Sequence, residues 1–110
     1  MSDSIVVVLT TCQQREDAER LARRLVEARL AACVTIGGAV LSTYCWQGRV
    51  EQADEVSLTI KTTQDRIGAL RLAFEAHHPY EVPELLVLPV SDGSPDYMNW
   101  VREETRIDSE

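Results

Sequence analysis

A long β-hairpin is the feature of this 110-residue sequence that most constrains its fold. Residues 31–46 are rich in β-branched and aromatic side chains, which is typical of a strand. Gln47-Gly48 follows and resembles a two-residue hairpin turn, because glycine readily adopts a positive φ. Beyond the turn, apolar and polar residues alternate from Val56 to Lys61, so the chain returns as a second strand.

Glycine and proline mark where the other elements bend, begin or end. The glycine pair at 37–38 interrupts the first strand of the hairpin and predicts a bend or bulge. Pro79 ends a helix that runs to His77, because proline cannot continue a helix. Pro89 lies inside an apolar run and favours an edge strand. Ser94-Pro95 predicts the start of a last helix.

The remaining segments complete the order strand, helix, strand, strand, helix, strand, helix. They are a strand at 5–9, a helix from Glu16 to Ala28 and a strand at 85–90. This order predicts an α+β fold of the ferredoxin-like βαββαβ type, with a long second-to-third strand hairpin and an added C-terminal helix. We expect one domain spanning residues 1–110. In the last helix the predicted apolar stripe is Tyr97, Trp100, Val101 and Ile107.

Much of the hairpin is apolar, and so is the predicted edge strand at 85–88. Helices on one face of the sheet would leave the other face uncovered, and an apolar edge strand is a liability unless it is paired. Both features favour self-association.

The charge and the cysteines limit the classes of partner. A formal net charge of −7 disfavours nucleic acid and anionic membranes, which attract clustered Lys and Arg. The acidity serves solubility or attracts cations. The three cysteines are odd in number and form no CxxC pair, so we expect reduced thiols in a chain that starts near Met1 and stays in the cytoplasm.

Five short blocks resemble one protein family in order and spacing. They are Ala31-Ala32-Cys33-Val34, Tyr44-Cys45-Trp46-Gln47-Gly48, Ile60-Lys61-Thr62, His77-His78-Pro79-Tyr80-Glu81-Val82-Pro83-Glu84 and Tyr97-Met98-Asn99-Trp100-Val101. The chain resembles the CutA divalent-cation-tolerance proteins from Ile5 to about Arg106. The resemblance implies a homotrimer of ferredoxin-like subunits, similar to the PII signalling proteins, in which the hairpin reaches a neighbour. It also implies a role in tolerance of divalent metals, with copper(II) or another divalent transition metal as the candidate ligand.

His77 and His78 are the candidate metal ligands, because imidazole binds copper, zinc and nickel. Adjacent helical residues point about 100° apart, so both rings could reach one ion only if the helix ends at His78. The alternative is that one ring interacts with the helix C-terminus and the other packs. Some bacterial members of the family carry a cysteine where this chain has Thr10. Cys12 lies two residues on, which is the same face of a strand, and is a doubtful third ligand.

A second group of candidates suits a cleft between subunits or an apolar contact between them. It comprises Tyr44, Trp46, Lys61, Tyr80, Glu81, Glu84 and Trp100. Glu81 and Glu84 suit solvated or ion-paired roles, outer metal ligands or acid–base catalysis. Lys61 suits a carboxylate partner or an anionic ligand.

Three functions stay open at this point. The first is a trimeric protein of the metal response that binds copper-like cations weakly. The second is a PII-like sensor that binds a small anionic molecule between subunits and signals to a protein partner. The third is an enzyme using Glu81, Glu84 and Lys61, which we do not favour, because no nucleophile or cofactor motif accompanies these residues.

Overall fold

The computed structural model describes residues 3–107 as a four-stranded antiparallel sheet with three α-helices. The strands lie in the order β2-β3-β1-β4, which confirms the predicted ferredoxin-like arrangement. A single 3-10 turn, Gln64–Arg66, leads into the second helix. The elements in chain order are β1 (Ile5–Cys12), α1 (Arg15–Glu27), β2 (Cys33–Trp46), β3 (Arg49–Thr63), α2 (Ile67–His77), β4 (Leu86–Pro89) and α3 (Pro95–Glu104).

The predicted hairpin is confirmed as the pair β2–β3. Trp46 is opposite Arg49, and the two turn residues Gln47 and Gly48 have φ values of 51° and 80°. Positive φ at both positions is the geometry of a type I′ turn, whose twist matches that of the strands. The register shifts between Ile36 and Ala39, so the predicted bulge at the glycine pair is confirmed as well.

One face of the sheet forms the main core with α1 and α2. Val8, Leu58 and Ile60 point inward from the two central strands and are at most 1% exposed. Leu21 of α1 and Leu70 of α2 pack against them. Each such side chain contributes roughly 1.5–3 kcal/mol when it leaves water, so this layer holds the helices on the sheet.

The opposite face of the sheet is only partly covered. Near the start of β1, Val101 of α3 packs with Ile5 and Ala32 in a second, smaller cluster. Farther along, Leu86 and Leu88 of β4 are 55% and 45% exposed. We call the following residues the open face, because pairing places them side by side away from α1 and α2: Val7, Leu9, Leu86 and Leu88.

Two expectations were wrong: where β1 ends, and which residues of α3 are buried. β1 continues past residue 9, because Thr10 and Cys12 pair with β3 and are buried on its inner side. In α3, Val101 alone of the predicted stripe is buried, because the cluster beneath the helix is small. The exposed members are Tyr97, Trp100 and Ile107, at 44%, 43% and 59%. No helix within residues 3–107 is long and apolar enough to cross a membrane.

Gly48→Ala should lower the free energy of unfolding by about 1 kcal/mol, because an L side chain is disfavoured at positive φ. Gly38→Ala is the matched control, since no atom lies within 4 Å of the added methyl group and φ there is not positive. Urea unfolding of both variants checks the difference. Equal stabilities for the two variants would contradict the turn geometry.

Candidate functional site

The end of α2 turns one histidine into the protein and leaves the other outside. The backbone of His78 departs from helical geometry, with φ −73° and ψ 136°, as expected before Pro79. Its ring is 8% exposed, whereas His77 is exposed. The two neighbouring imidazoles therefore do not converge on one ion.

His78 binds two parts of the chain with its two ring nitrogens. The Tyr80 backbone N–H donates to Nδ1 at 3.1 Å, and Nε2 lies 3.1 Å from the Thr10 hydroxyl oxygen. A backbone amide can only donate, so Nδ1 carries no proton, and the neutral ring holds its proton on Nε2. Burial lowers the pKa of His78, although the Thr11 backbone and the charges of Asp17 and Glu55 oppose that effect. The ring is therefore neutral at neutral pH.

A carboxylate lies at the other end of this group of polar residues. The Tyr80 hydroxyl donates to Glu55 Oε2 at 2.6 Å, and the Thr11 hydroxyl donates to the same oxygen at 3.2 Å. Burial opposes ionisation of Glu55, but hydrogen bonds from Tyr80, Ser42 and Thr11 outweigh it and lower the pKa of the carboxyl. Burial, followed by the bond to Glu55, raises the pKa of Tyr80. Tyr80 thus stays protonated and Glu55 ionised.

Cys12 lies beside this group of polar residues, but its thiol keeps its proton. Its sulfur lies 4.0 Å from His78 Nε2, at the upper limit for a weak contact. Burial first, and then the charges of Asp17 and Glu55, raise the pKa of the Cys12 thiol to about 11. Metals bind the thiolate, so a cation would have to displace a tightly held proton here.

Of the three predicted metal ligands, the structure brings Cys12 and His78 together. The third, His77, lies apart from them on the surface. Within residues 3–107, no group of three or more His, Cys, Asp or Glu side chains could hold a metal ion.

The predicted cleft residues do not all meet in one cleft of a single subunit, although Tyr80 and Glu81 line the same one. Tyr80 alone of them joins the polar group described above. Lys61 reaches the Thr35 hydroxyl at 3.5 Å. The other members are exposed on β2, on the loop after α2 and on α3: Tyr44, Trp46, Glu81, Glu84 and Trp100.

Sequence reasoning missed Glu55, Thr11 and Ser42. Glu55 lies in an acidic, polar stretch of β3 with no local mark that separates it from its neighbours. Only the β1–β3 register, which sets Thr11 opposite Ser57, shows that its carboxylate can reach Thr11. The hydroxyl pair Thr10-Thr11 inside a strand is the one signal that could have suggested a polar site.

Comparisons with known proteins agree on one family. Residues 6–104 match the model of the CutA1 divalent ion tolerance protein. The divalent-cation tolerance protein CutA of Pectobacterium atrosepticum is 46% identical over 101 residues, which cover 92% of each chain. The divalent cation tolerance protein (Cut A1) structure from Thermus thermophilus has a TM-score of 0.90 and 44% identity, covering 92% of this chain and 98% of that one. The structure of the periplasmic divalent cation tolerance protein CutA from Archaeoglobus fulgidus has a TM-score of 0.89 and 31% identity. The match covers 93% of this chain and 99% of that one.

The buried ring of His78 predicts loss of stability on acidification. Its pKa is lower in the folded chain than the ordinary value of 6.5, so the unfolded state binds the proton more readily. Its stabilising contribution is complete well above 6.5, begins to decline as pH approaches that value, and is lost as pH falls through the folded pKa. Urea unfolding of the wild type should show this decline between about pH 7.5 and about pH 5.5.

The control is His78→Gln, which should be less stable at neutral pH and change less across the same range. Glu55 does not interfere, because its depressed pKa acts below the ordinary value of 4.5. A wild-type stability that stays constant over this range would contradict the assignment of a neutral, buried ring.

Proposed function

This chain belongs to the CutA1 divalent ion tolerance family, and we propose that it acts in tolerance of divalent metal ions as a homotrimer that binds copper-like cations weakly. The family is one of tolerance proteins and is not a known enzyme family. The role in tolerance follows from membership of the family. The exposed apolar surface supports assembly, and the histidines support metal binding.

The open face carries the proposal of self-association. Leu86 and Leu88 are large, exposed and aligned beside Val7 and Leu9, on the short edge strand β4. A sheet that ends in an exposed apolar edge strand invites pairing with another chain. A second copy of the chain covers this surface in our proposal, and we propose three copies because the resemblance to the CutA family implies a homotrimer.

The far part of the hairpin supports the same proposal. β1 pairs with β3 only as far as Val56, so the rest of the hairpin extends beyond the body of the sheet. Its exposed apolar side chains are Val40, Leu41, Tyr44, Trp46 and Val50, at 41–78% of their full accessibility. Tyr44 and Trp46 lie on one face of the hairpin, and Leu41 and Val50 lie on the other, because successive residues of a strand point to opposite faces. Exposed apolar side chains on both faces are what we expect of a hairpin that contacts neighbouring copies.

The metal site of the proposal is the surface around His77. This imidazole is exposed and ready to bind a cation, whereas His78 uses both ring nitrogens in hydrogen bonds. Cys12 is fully buried and keeps its proton. A single imidazole completed by water is a weak site, and among divalent ions it favours copper over magnesium or calcium.

A cytoplasmic location is part of the proposal. The cysteines Cys12, Cys33 and Cys45 are free thiols, which suits a reducing compartment. The Archaeoglobus fulgidus relative is named a periplasmic protein, so cell fractionation is the direct test. Recovery in the periplasmic fraction would overturn this part.

The assembly can be measured by sedimentation equilibrium, which should give about three times the 12.3 kDa subunit mass. Leu88→Asp should shift the protein toward smaller species, because a charge would be buried in the interface. Trp46→Ala should also weaken assembly through lost apolar contact.

Leu72→Asp is the matched control, since Leu72 is 65% exposed on α2, which packs against the other side of the sheet. It should leave the mass unchanged. A wild type that remains monomeric at micromolar concentration refutes the trimer. If Leu72→Asp lowers the mass as much as Leu88→Asp does, the open face is not the surface through which the subunits assemble.

Copper binding can be tested by calorimetry at neutral pH with four proteins: the wild type, His77→Ala, His78→Gln and Cys12→Ser. Copper(II) should bind weakly to the wild type, Cys12→Ser and His78→Gln, and His77→Ala should lose the heat of binding. Magnesium should give none. Unchanged binding by His77→Ala would move the site away from this residue, and loss in Cys12→Ser would show that the buried pair opens to metal.

A further inference from the structure

Among the surface clefts formed by residues 3–107, three differ in whether their charged side chains already have partners. One lies beside α3, where Arg102 contacts Asp3 and Asn99 and Arg106 contacts Glu103. A second lies between α1 and β2, where Arg23 pairs with Glu27 at 3.2 Å. In both clefts the arginines are engaged by the protein itself.

The third cleft, which we call the α2 cleft, has a volume of about 520 Å³. It lies between α2 and the loop that follows this helix. Its lining residues are Arg71, Phe74, Glu75, Tyr80, Glu81, Pro83 and Leu85. This size falls within the range of sites for small molecules, roughly 300–1,000 Å³.

The charged side chains of the α2 cleft have no partner among residues 3–107. Arg71, Glu75 and Glu81 make no hydrogen bond and no ion pair there. Arg71 and Glu75 are four residues apart, the same spacing and order as the paired Arg23 and Glu27 of α1. Their spacing would permit an ion pair, and the two side chains nevertheless stand apart.

The apolar part of the α2 cleft contains two well-anchored rings. Pro83 and Leu85 are half-buried, and Phe74 lies beneath them at 2% exposure. The Tyr80 hydroxyl donates to Glu55 at 2.6 Å, and its backbone N–H donates to His78 Nδ1. Phe74 and Tyr80 are therefore in place before any ligand arrives, which reduces the cost of binding.

We propose that the α2 cleft binds a small zwitterion with an apolar body, of the class of a free α-amino acid with an aromatic or branched side chain. The ligand carboxylate pairs with the Arg71 guanidinium, which suits two parallel hydrogen bonds. The ammonium group pairs with the Glu75 carboxylate one turn along the helix. The side chain lies against Tyr80, Pro83 and Leu85. This site requires neither metal binding nor assembly.

The charges argue against simpler ligands. A purely anionic ligand would satisfy Arg71 but would face the carboxylates of Glu75 and Glu81. A purely apolar ligand would remove both signs of charge from water without pairing either, which is costly. A zwitterion pairs one group of each sign, and Glu81 remains exposed to water on the loop.

The test uses L-phenylalanine as the probe and follows the backbone amides of the full chain by NMR during titration. We expect saturable shifts confined to residues 71–85, with an affinity near the millimolar range. Phenethylamine lacks the carboxylate and 3-phenylpropionate lacks the ammonium group. Each should bind at least about tenfold more weakly, because a hydrogen bond to a charged group is lost.

Two variants and one control locate the site. Arg71→Gln and Glu75→Gln should each weaken the binding of L-phenylalanine about tenfold, and Arg23→Gln should leave it unchanged. The proposal is overturned if L-phenylalanine gives no saturable shift at about 10 mM. It is equally overturned if both analogues bind as tightly as the amino acid, or if the α2 variants keep wild-type affinity.

Discussion

The buried imidazole of His78 is the contact on which the functional end of this subunit depends. One nitrogen binds the hydroxyl of Thr10 on the central strand β1, and the other accepts the amide of Tyr80 in the loop after α2. Pro79 ends the helix, and this pair of bonds then holds the loop that follows it against β1. The same loop supplies Tyr80 to the bond with Glu55 and to the wall of the α2 cleft.

The electrostatics of the same region explain why it is closed to cations in a single subunit. Burial keeps His78 neutral, and the lone pair of its Nδ1 already accepts the Tyr80 amide. Burial also keeps Cys12 protonated, so no thiolate is present to bind a metal. Glu55 is ionised, but its oxygen already accepts hydrogen bonds from Tyr80 and Thr11. The Glu55 carboxylate therefore serves to hold the loop after α2 in place. In this chain we therefore propose to look for metal binding on the surface, where His77 lies.

The sequence predicted features that depend on neighbouring residues. It did not predict features that depend on residues far apart in the chain. The hairpin turn, the bulge at the glycine pair and the end of α2 each depend on Gly or Pro within a few residues, and all were confirmed. The length of β1 was wrong, because Thr10 and Cys12 are kept in the strand by pairing with β3 and by contact with His78. Cys12 was a doubtful third ligand in the sequence analysis, and in the structure its sulfur lies 4.0 Å from His78 Nε2. The carboxylate of Glu55 was not, since its role arises only when three strands and a loop meet.

The most direct test of this account is the protonation state of His78, read from the nitrogen chemical shifts of a ¹⁵N-histidine-labelled protein at neutral pH. We expect a neutral ring with the proton on Nε2 and none on Nδ1, together with slow hydrogen exchange at the Tyr80 amide. A ring protonated on Nδ1, or an imidazolium, would contradict it, because the Tyr80 amide would then have no acceptor and the loop would lose its anchor.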